Sequence, residues 1–321
     1  MGKIDMVQPF QLEKSDIKGR LGLVSTSVSD ILRNKDYPNI VSKLVAEASL
    51  VTSLIGQSMK LNWKLSLQIR GKGPIKLIAT DYFNFGNEKD CFKVRGHASF
   101  DRGYNFNEKY EMGKLFGDGY FAIIIDQGAG SEPYKGITPL SGDSLSACAE
   151  NFFHQSEQLP TRFEIKLLES NEIGSKTRMR VGGIMLQYLA QGTEMQQNYE
   201  RHELTNVSSA DLLTGVASEK WRRVNIFLDT LTTEEFFDES TSSAGLLYRL
   251  FNEERPIVYA KRNIEFGCTC SPDKVKQTMS IYSSKDIEKM TNSAGKVTAE
   301  CQFCGENYSF NPSALGINSQ Q

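Results

Sequence analysis

Four cysteines near the C-terminal end of the chain have the residue type and spacing of a metal site. Cys268-Thr-Cys270 is followed, after thirty intervening residues, by Cys301-Gln-Phe-Cys304. Two close pairs joined by a long loop can bring four sulfur atoms to one tetrahedral point, which is the geometry that a structural Zn²⁺ requires. We therefore predict one Zn²⁺ with four thiolate ligands, Cys268, Cys270, Cys301 and Cys304.

The predicted site is closed, with no open position for water or substrate. The histidines of the chain, His97, His154 and His202, all lie far upstream of the cysteines. An all-thiolate site argues against zinc catalysis. An iron–sulfur cluster is an alternative in principle, but this pattern is more typical of zinc. Gly305 supports a tight zinc knuckle, because a glycine directly after Cys-X-X-Cys can adopt a positive φ and turn backbone N–H groups towards the thiolates.

The Cys268-X-Cys270 arm is geometrically different from the other pair. In an extended segment, residues two apart point the same way, so both sulfurs can ligate one ion without a turn. Their Cα atoms are then roughly 6 to 7 Å apart, at or beyond the limit for an unstrained disulfide. A structural zinc contributes on the order of 10 kcal/mol to folding a small module, so oxidation of its ligands should unfold that module. We expect this arm to be joined almost directly to a helix ending at Glu254, and to carry the loss of zinc into that helix.

Other chemistry has little support in the sequence. There is no G-x-x-x-x-G-K-[ST] motif, and the turn at residues 71–74 has Pro74 where a phosphate-binding loop needs a backbone N–H. No motif pairs His97 or His154 with a nucleophile, and Cys91 and Cys148 are better interpreted as small buried hydrophobic residues. We predict no catalytic residue, no nucleotide and no cofactor other than zinc, and thus no enzyme.

Composition restricts the class of partner and the compartment. The chain has 321 residues, a net charge of −2 and a pI near 6.1, so no global field draws it to nucleic acid or anionic lipid. Residues 261–321 carry seven Lys or Arg and six Asp or Glu, so the zinc module itself is nearly neutral. The N-terminus resembles neither a signal nor a transit peptide, and no stretch suggests a membrane span. We expect a cytoplasmic protein, in whose reducing environment paired cysteines indicate metal or redox chemistry.

The first part of the chain has the patterns of an α+β domain. Apolar residues at three- and four-residue steps predict a helix over 38–56, and alternating runs predict a hairpin over 65–79. A dense strand at 119–126 precedes another run at 134–140, and Asp143 or Ser144 could cap a short helix. Two further alternating runs lie at 163–167 and 179–185. Hairpins interspersed with helices indicate a largely antiparallel sheet with packed helices.

The composition changes beyond about residue 187. Glutamine and charged residues dominate 191–203, and three short helical patterns follow, around Trp221, at a capping box from Thr232 to Glu235, and at 246–251. Short helices derive most of their stability from docking, so this middle region should be the least stable part of the fold.

Motifs along nearly the whole chain resemble one family, the bacterial redox-regulated 33-kilodalton heat-shock chaperones. The matching segments occur in the same order as in the family: Gly71-Lys-Gly-Pro-Ile75, Arg95-Gly96, Gly119 with its Ile-rich strand, Tyr134-Lys-Gly-Ile137, Gln155-Ser-Glu-Gln-Leu-Pro-Thr161, Gly182-Gly-Ile-Met-Leu-Gln187, Arg249-Leu-Phe-Asn-Glu-Glu254, Phe266-Gly-Cys-Thr-Cys-Ser271, Cys301-Gln-Phe-Cys-Gly305 and Tyr308. Two departures are a polar segment at 87–114 that looks longer than usual in the family, and Asn252 where the family commonly has histidine.

The resemblance implies an α+β chaperone core over 1–187, a metastable helical linker over 188–259, and a zinc-binding redox-switch domain over 260–321. It implies a reduced, zinc-bound, inactive state that peroxide converts by forming the disulfides Cys268–Cys270 and Cys301–Cys304. Loss of zinc and unfolding of the linker would then let the chain hold unfolding client proteins without ATP, typically as a homodimer. Two alternatives stay open: a constitutive zinc-dependent binding module, and a thiol oxidoreductase using Cys301 and Cys304.

Overall fold

The computed structural model of the chain describes residues 5–59, 64–84, 91–106, 111–128, 131–170, 178–189, 213 and 215–316. Contacts between Cα atoms divide the chain into two compact units, one ending at Phe266 and one beginning at Gly267. The division predicted from the sequence has three parts, because it also distinguishes a linker of lower stability. This three-part division stays a prediction. The two units are described separately.

Eleven strands of the first unit form one sheet in the described residues: β1 Met6–Leu12, β2 Ile17–Val24, β3 Lys64–Gly71, β4 Ile75–Phe83, β5 Cys91–Phe100, β6 Gly119–Asp126, β7 Tyr134–Pro139, β8 Thr161–Ser170, β9 Arg178–Tyr188, β10 Pro256–Val258 and β11 Arg262–Phe266. The strand order is β7-β6-β3-β4-β5-β11-β1-β2-β9-β8, and β10 also pairs with β1. Among these pairings only β11 with β5 is parallel. The predicted α+β class with a largely antiparallel sheet is therefore confirmed.

Strand β11 lies at the centre of this order and joins two halves of the sheet. It pairs with β5 in parallel from Asn263 to Phe266, and with β1 in antiparallel register at Met6 and Val7. Strand β10 continues along β1 by pairing with Phe10 to Leu12. The chain just upstream of the predicted zinc arm is thus built into the middle of the sheet.

One face of the sheet is covered by helix α2, Asn39–Ser58, which packs on strands of both halves. By length and composition alone this helix could span a membrane, which the sequence expectation overlooked, but 78% of its most apolar window is buried inside the protein. Alternation of strand residues explains the covering, because Val7, Val94 and Val181 point to this face. We call this layer the first core. It also holds α1 Thr26–Ile31, α3 Met112–Phe116 and α4 Leu145–Phe152.

The opposite face of β1, β2 and β9 forms a second core beneath three helices: α5 Gly215–Asp229, α6 Thr233–Phe237 and α7 Ser243–Phe251. Phe10, Leu21 and Ile184 supply the sheet side of this core, and Trp221 and Leu247 are buried on the helix side. A short 3₁₀ turn, Asn252–Glu254, follows α7. The predicted middle helices are therefore docked through apolar surface onto one half of the sheet.

Two details show how closely these helices approach the sheet. A Cβ added to Gly182 would lie 2.0 Å from the ring of Phe236, so the family motif at 182–187 needs glycine to seat α6. Ion pairs bridge the rim of the helix layer, with Lys220 3.1 Å from Asp16 and Arg180 3.3 Å from Glu239. Because these pairs are partly exposed, each contributes little, and the buried apolar surface supplies most of the docking energy.

The second unit is a small module around an apolar cluster of Ile287, Val297, Phe310 and Leu315. It contains helices α8 Pro272–Met279 and α9 Ser284–Met290, and an antiparallel hairpin of β12 Val297–Glu300 and β13 Asn307–Phe310. Four apolar residues are a small core, so a module of this size commonly needs a further source of stability such as a metal.

Most elements predicted from the sequence are present: the long helix, the hairpins, the Ser144 cap and the Thr232–Glu235 capping box. The segment 87–114 is more than a polar connection, because Cys91–Phe100 is the central strand β5, with buried residues at every second position up to Ala98. The polar stretch 191–203 lies outside the described residues. The boundary predicted between 187 and 188 falls one residue before the end of strand β9 at Tyr188.

Candidate metal centre

The Cys301-X-X-Cys304 arm is the connection of the β12–β13 hairpin. Gly305 has a φ of +77°, the conformation predicted for it from the sequence. Its N–H donates to the carbonyl of Cys301 over 2.8 Å, and the N–H of Cys301 donates to the carbonyl of Glu306 over 2.9 Å. The hairpin and its glycine therefore hold both sulfurs of this arm on one tight turn.

The Cys268-X-Cys270 arm lies in irregular backbone between strand β11 and helix α8. The Ser271 side chain caps α8 by accepting from the N–H of Lys274, whose Nζ donates to the carbonyl of Thr269 over 2.7 Å. The expectation that this arm follows almost directly on the helix ending at Glu254 is wrong. Strands β10 and β11 lie between Glu254 and Cys268, because this part of the chain pairs with β1 in antiparallel register. Only Gly267 separates β11 from Cys268.

The four cysteine sulfurs converge to within 4.8 Å of one another. The Sγ atoms of Cys268 and Cys301 are 3.7 Å apart, and those of Cys270 and Cys304 are 3.4 Å apart. Sulfurs placed tetrahedrally about Zn²⁺ at about 2.3 Å would be separated by about 3.8 Å, whereas a disulfide bond is about 2 Å long. The donor set and its spacing thus fit a four-thiolate metal ion, and none of the four cysteines is in a disulfide.

The electrostatics of the cluster also suit a cation. Burial raises the pKa of the Cys270 thiol and, more strongly, that of Cys304, because a thiolate is poorly solvated there. Without a positive charge the cluster therefore retains its protons. A divalent cation reverses this preference, since it stabilises thiolates and displaces the protons as it binds.

Tyr308 connects the two arms through a contact that the sequence interpretation did not anticipate. Its side chain extends from β13, and its hydroxyl donates to Sγ of Cys270 over 3.1 Å. This hydrogen bond raises the pKa of Tyr308, so the hydroxyl stays protonated at neutral pH and remains a donor. The alternation of Tyr308 and Phe310 after the knuckle could have predicted the strand, but not the direction of the hydroxyl.

The other candidate residues are not brought to this cluster. Cys148 is buried in the first core, where loss of solvation raises its pKa to about 12. Cys91 is half-buried at the start of β5, next to the carboxylate of Glu265. His97 and His154 lie on β5 and on the turn after α4, and His202 lies outside the described residues. Within the described ranges, the four cysteines alone form a group of three or more possible ligands close enough to share an ion.

Comparisons with known proteins agree with this architecture. The family model described as Hsp33 protein matches residues 5–311. A 33 kDa chaperonin of Caulobacter vibrioides is 29% identical over 96% of this chain and 95% of its own length. The 33 kDa chaperonin of Proteus mirabilis is 30% identical over 97% of this chain and 94% of its own length.

A solved structure shares the fold. The crystal structure of the 33 kDa chaperonin (heat shock protein 33 homolog) of Thermotoga maritima superposes with a TM-score of 0.71 at 19% identity, covering 96% of this chain and 95% of that one. The family match extends from strand β1 to just beyond β13 and thus includes both the helix-covered sheet and the cysteine cluster. The chain therefore belongs to the Hsp33 family of chaperones.

Proposed function

We propose that this chaperone is a redox-regulated holdase of the cytoplasm, inactive when reduced and loaded with one Zn²⁺ on Cys268, Cys270, Cys301 and Cys304. The observation that supports the proposal is the convergence of four cysteine sulfurs within 4.8 Å of one another in a module with a small apolar core. A bound Zn²⁺ would supply the charge that keeps the four sulfurs deprotonated and ties the two arms together.

Oxidation would remove the ligands from this arrangement. Each pair of thiolates loses two electrons as its S–S bond forms, and one hydrogen peroxide accepts them and, with two protons from the solvent, becomes two water molecules. We propose the pairs Cys268–Cys270 and Cys301–Cys304. Sulfurs joined in disulfides no longer carry the charge that holds a cation, so the small module loses the main source of its stability.

The proposed consequence is unfolding of the linker helices. Helices α6 and α7 have five and nine residues, and isolated helices below about 12 residues are marginal in water. If they detach, the sheet side of the second core, including Phe10, Leu21 and Ile184, becomes exposed. Such an apolar surface can bind unfolded clients without ATP, and it would also favour a homodimer.

The proposal is tested by following zinc and chaperone activity together. The reduced chain should bind one zinc ion and suppress aggregation of heat-unfolded citrate synthase poorly. Treatment with peroxide should release the zinc and raise the suppression. The Cys301→Ser chain should fail to retain zinc, whereas the matched Cys91→Ser chain should respond as the wild type does, because Cys91 lies outside the cluster.

Four outcomes would contradict the proposal. An absence of any gain in suppression after peroxide, or full suppression while zinc stays bound, would exclude the redox switch. Salt-sensitive binding of nucleic acid by the reduced chain would instead support a constitutive binding module. Turnover of a dithiol substrate by the zinc-free chain, abolished by Cys301→Ser, would support a thiol oxidoreductase.

A further inference from the structure

We propose that Tyr308 is a positioning residue of the metal centre, whose hydroxyl holds the Cys270 sulfur and slows its oxidation. The inference rests on the proposed zinc-bound, peroxide-sensitive state. The contact that carries it is the 3.1 Å hydrogen bond from Tyr308 Oη to Cys270 Sγ.

The position of Tyr308 is fixed independently of the cysteines. Its backbone pairs with Ala299 across the hairpin, and its ring stacks on Phe310 with centroids 6.4 Å apart and planes inclined by 15°. The ring also packs against the apolar cluster of the module. The hydroxyl is therefore presented to Cys270 by a rigid strand, and not by a loop that must order first.

The hydrogen bond joins the two arms that must hold one ion. Tyr308 belongs to the hairpin that carries Cys301 and Cys304, whereas Cys270 lies 38 residues earlier in irregular backbone. A donor to a metal-binding sulfur orients that ligand and tunes the metal in the way that outer partners do for other ligands. Tyr308, on the hairpin arm, thus restrains the position of Cys270, which lies in the arm without regular structure.

The same hydrogen bond lowers the reactivity of the sulfur. In the first step of oxidation the Cys270 thiolate attacks one oxygen of hydrogen peroxide, so that an S–O bond forms while the O–O bond breaks, and the departing hydroxide takes a proton to become water. The sulfenic acid then condenses with a second thiol and releases another water. Because the hydrogen bond from Tyr308 stabilises the negative charge on the sulfur, it lowers the nucleophilicity of the Cys270 thiolate, and Cys270 reacts more slowly than a sulfur without such a donor.

The test compares Tyr308→Phe with Tyr282→Phe in the full chain. Both variants remove one hydroxyl from a ring that packs on the same small core, but only Tyr308 contacts a cysteine sulfur in the described residues. The expected result for Tyr308→Phe is about tenfold weaker zinc affinity in competition with a chelator. Peroxide should also release its zinc faster, as followed with a chromogenic chelator.

Two further readouts separate this role from loss of packing. Trapping of sulfenic acid with dimedone, followed by mass spectrometry, should show a larger share of first oxidation at Cys270 in Tyr308→Phe than in the wild type. The charge-transfer band of the Co²⁺-loaded variant should shift, because one sulfur has lost a hydrogen bond. A merely structural role would weaken binding without redistributing the site of first oxidation.

The inference is overturned if Tyr308→Phe matches Tyr282→Phe in zinc release and in the share of oxidation at Cys270. Failure of the proposed function would appear elsewhere, in the wild-type chain, as an absence of zinc or of its release by peroxide. If Tyr308→Phe folds poorly, the Co²⁺ spectrum of whatever fraction loads metal still reports on the hydrogen bond. An unchanged charge-transfer band in that fraction would equally overturn the inference.

Discussion

Glu254 lies in the short 3₁₀ turn after α7 and carries a buried carboxylate, with a side chain only 1% exposed. The guanidinium of Arg223 on α5 donates to it from Nε at 2.7 Å, with Nη2 2.6 Å away, and Ser15 in the β1–β2 turn donates to its other oxygen. The Glu254 carboxylate therefore connects three segments: helix α5, the turn after α7 and the β1–β2 turn. A buried charge of this kind tolerates poorly the loss of its partner.

We predict that Arg223→Met loosens the linker in the reduced chain. The substitution leaves the Glu254 carboxylate buried with a single hydroxyl donor, at a cost of about 1 to 3 kcal/mol, because Glu254 is buried whereas Arg223 is partly exposed. Hydrogen exchange of residues 243–254 and the fluorescence of buried Trp221 should both report weaker docking. The chain should also suppress client aggregation at a lower temperature than the wild type.

Neighbouring Arg222 provides the control, because it is exposed on the same helix but forms no ion pair with Glu254. Arg222→Met should leave linker protection unchanged. Adding Glu254→Gln to Arg223→Met should restore part of the lost stability, since the buried group is then neutral. Equal behaviour of Arg222→Met and Arg223→Met would rule out this role for the ion pair.

At the scale of elements, the narrow cysteine arm is placed between a strand and a helix. Only Gly267 lies between the end of strand β11 at Phe266 and Cys268, and Ser271, the N-cap of α8, directly follows Cys270. An arm of three residues with both ends anchored has little freedom to relax. A disulfide formed within it must therefore distort the flanking elements.

We predict that lengthening this arm separates zinc binding from the structural response. Insertion of one glycine after Thr269 gives a Cys-X-X-Cys arm, which can hold zinc and can also close a disulfide with less strain. Zinc should bind with unchanged stoichiometry, whereas peroxide should reduce the hydrogen-exchange protection of residues 215–266 less than in the wild type. The narrow arm has no special role if oxidation unfolds the linker equally well in both chains.

The sheet also shows which elements the sequence predicts and why others escape it. Long periodic segments such as α2 and the β3–β4 hairpin can be predicted from the spacing of their own apolar residues. Strand β1 does not, because Pro9 lies in its middle and proline normally argues against a central strand. Pro9 lies opposite the gap between β10 and β11, where the backbone N–H that proline lacks is not needed for strand pairing. The N–H of Tyr259 donates to the Pro9 carbonyl over 3.0 Å.

The metal centre was more predictable than the sheet. Its four ligands follow from cysteine spacing, and the positive φ of Gly305 follows from its place after the knuckle. The contact of Tyr308 could not be predicted, since it joins residues 38 positions apart across two arms. The same holds for β11, whose five residues carry one fully buried side chain, Ile264, and acquire their place only through β5 and β1.

For the whole molecule, we predict that oxidation acts on two regions together while the rest of the sheet persists. After peroxide, hydrogen-exchange protection should fall in residues 267–316 and in helices α5 to α7, whereas β3 and β4 should keep theirs beneath α2. The reason is that α2 buries the first core independently of the linker helices. Loss of zinc with unchanged protection over 215–251 would contradict a coupling of metal to linker.

The central place of β11 has a consequence for how the chain is made. Met6 and Asn263 pair across 257 positions, so the sheet cannot close until the ribosome has delivered nearly the entire chain. Until then β5 and β1 each present an open edge, and domains that depend on such distant pairing fold slowly. We therefore expect a newly synthesised copy to be prone to aggregation until this pairing forms. Other chaperones, or folded copies of the same protein, are expected to protect it during this stage.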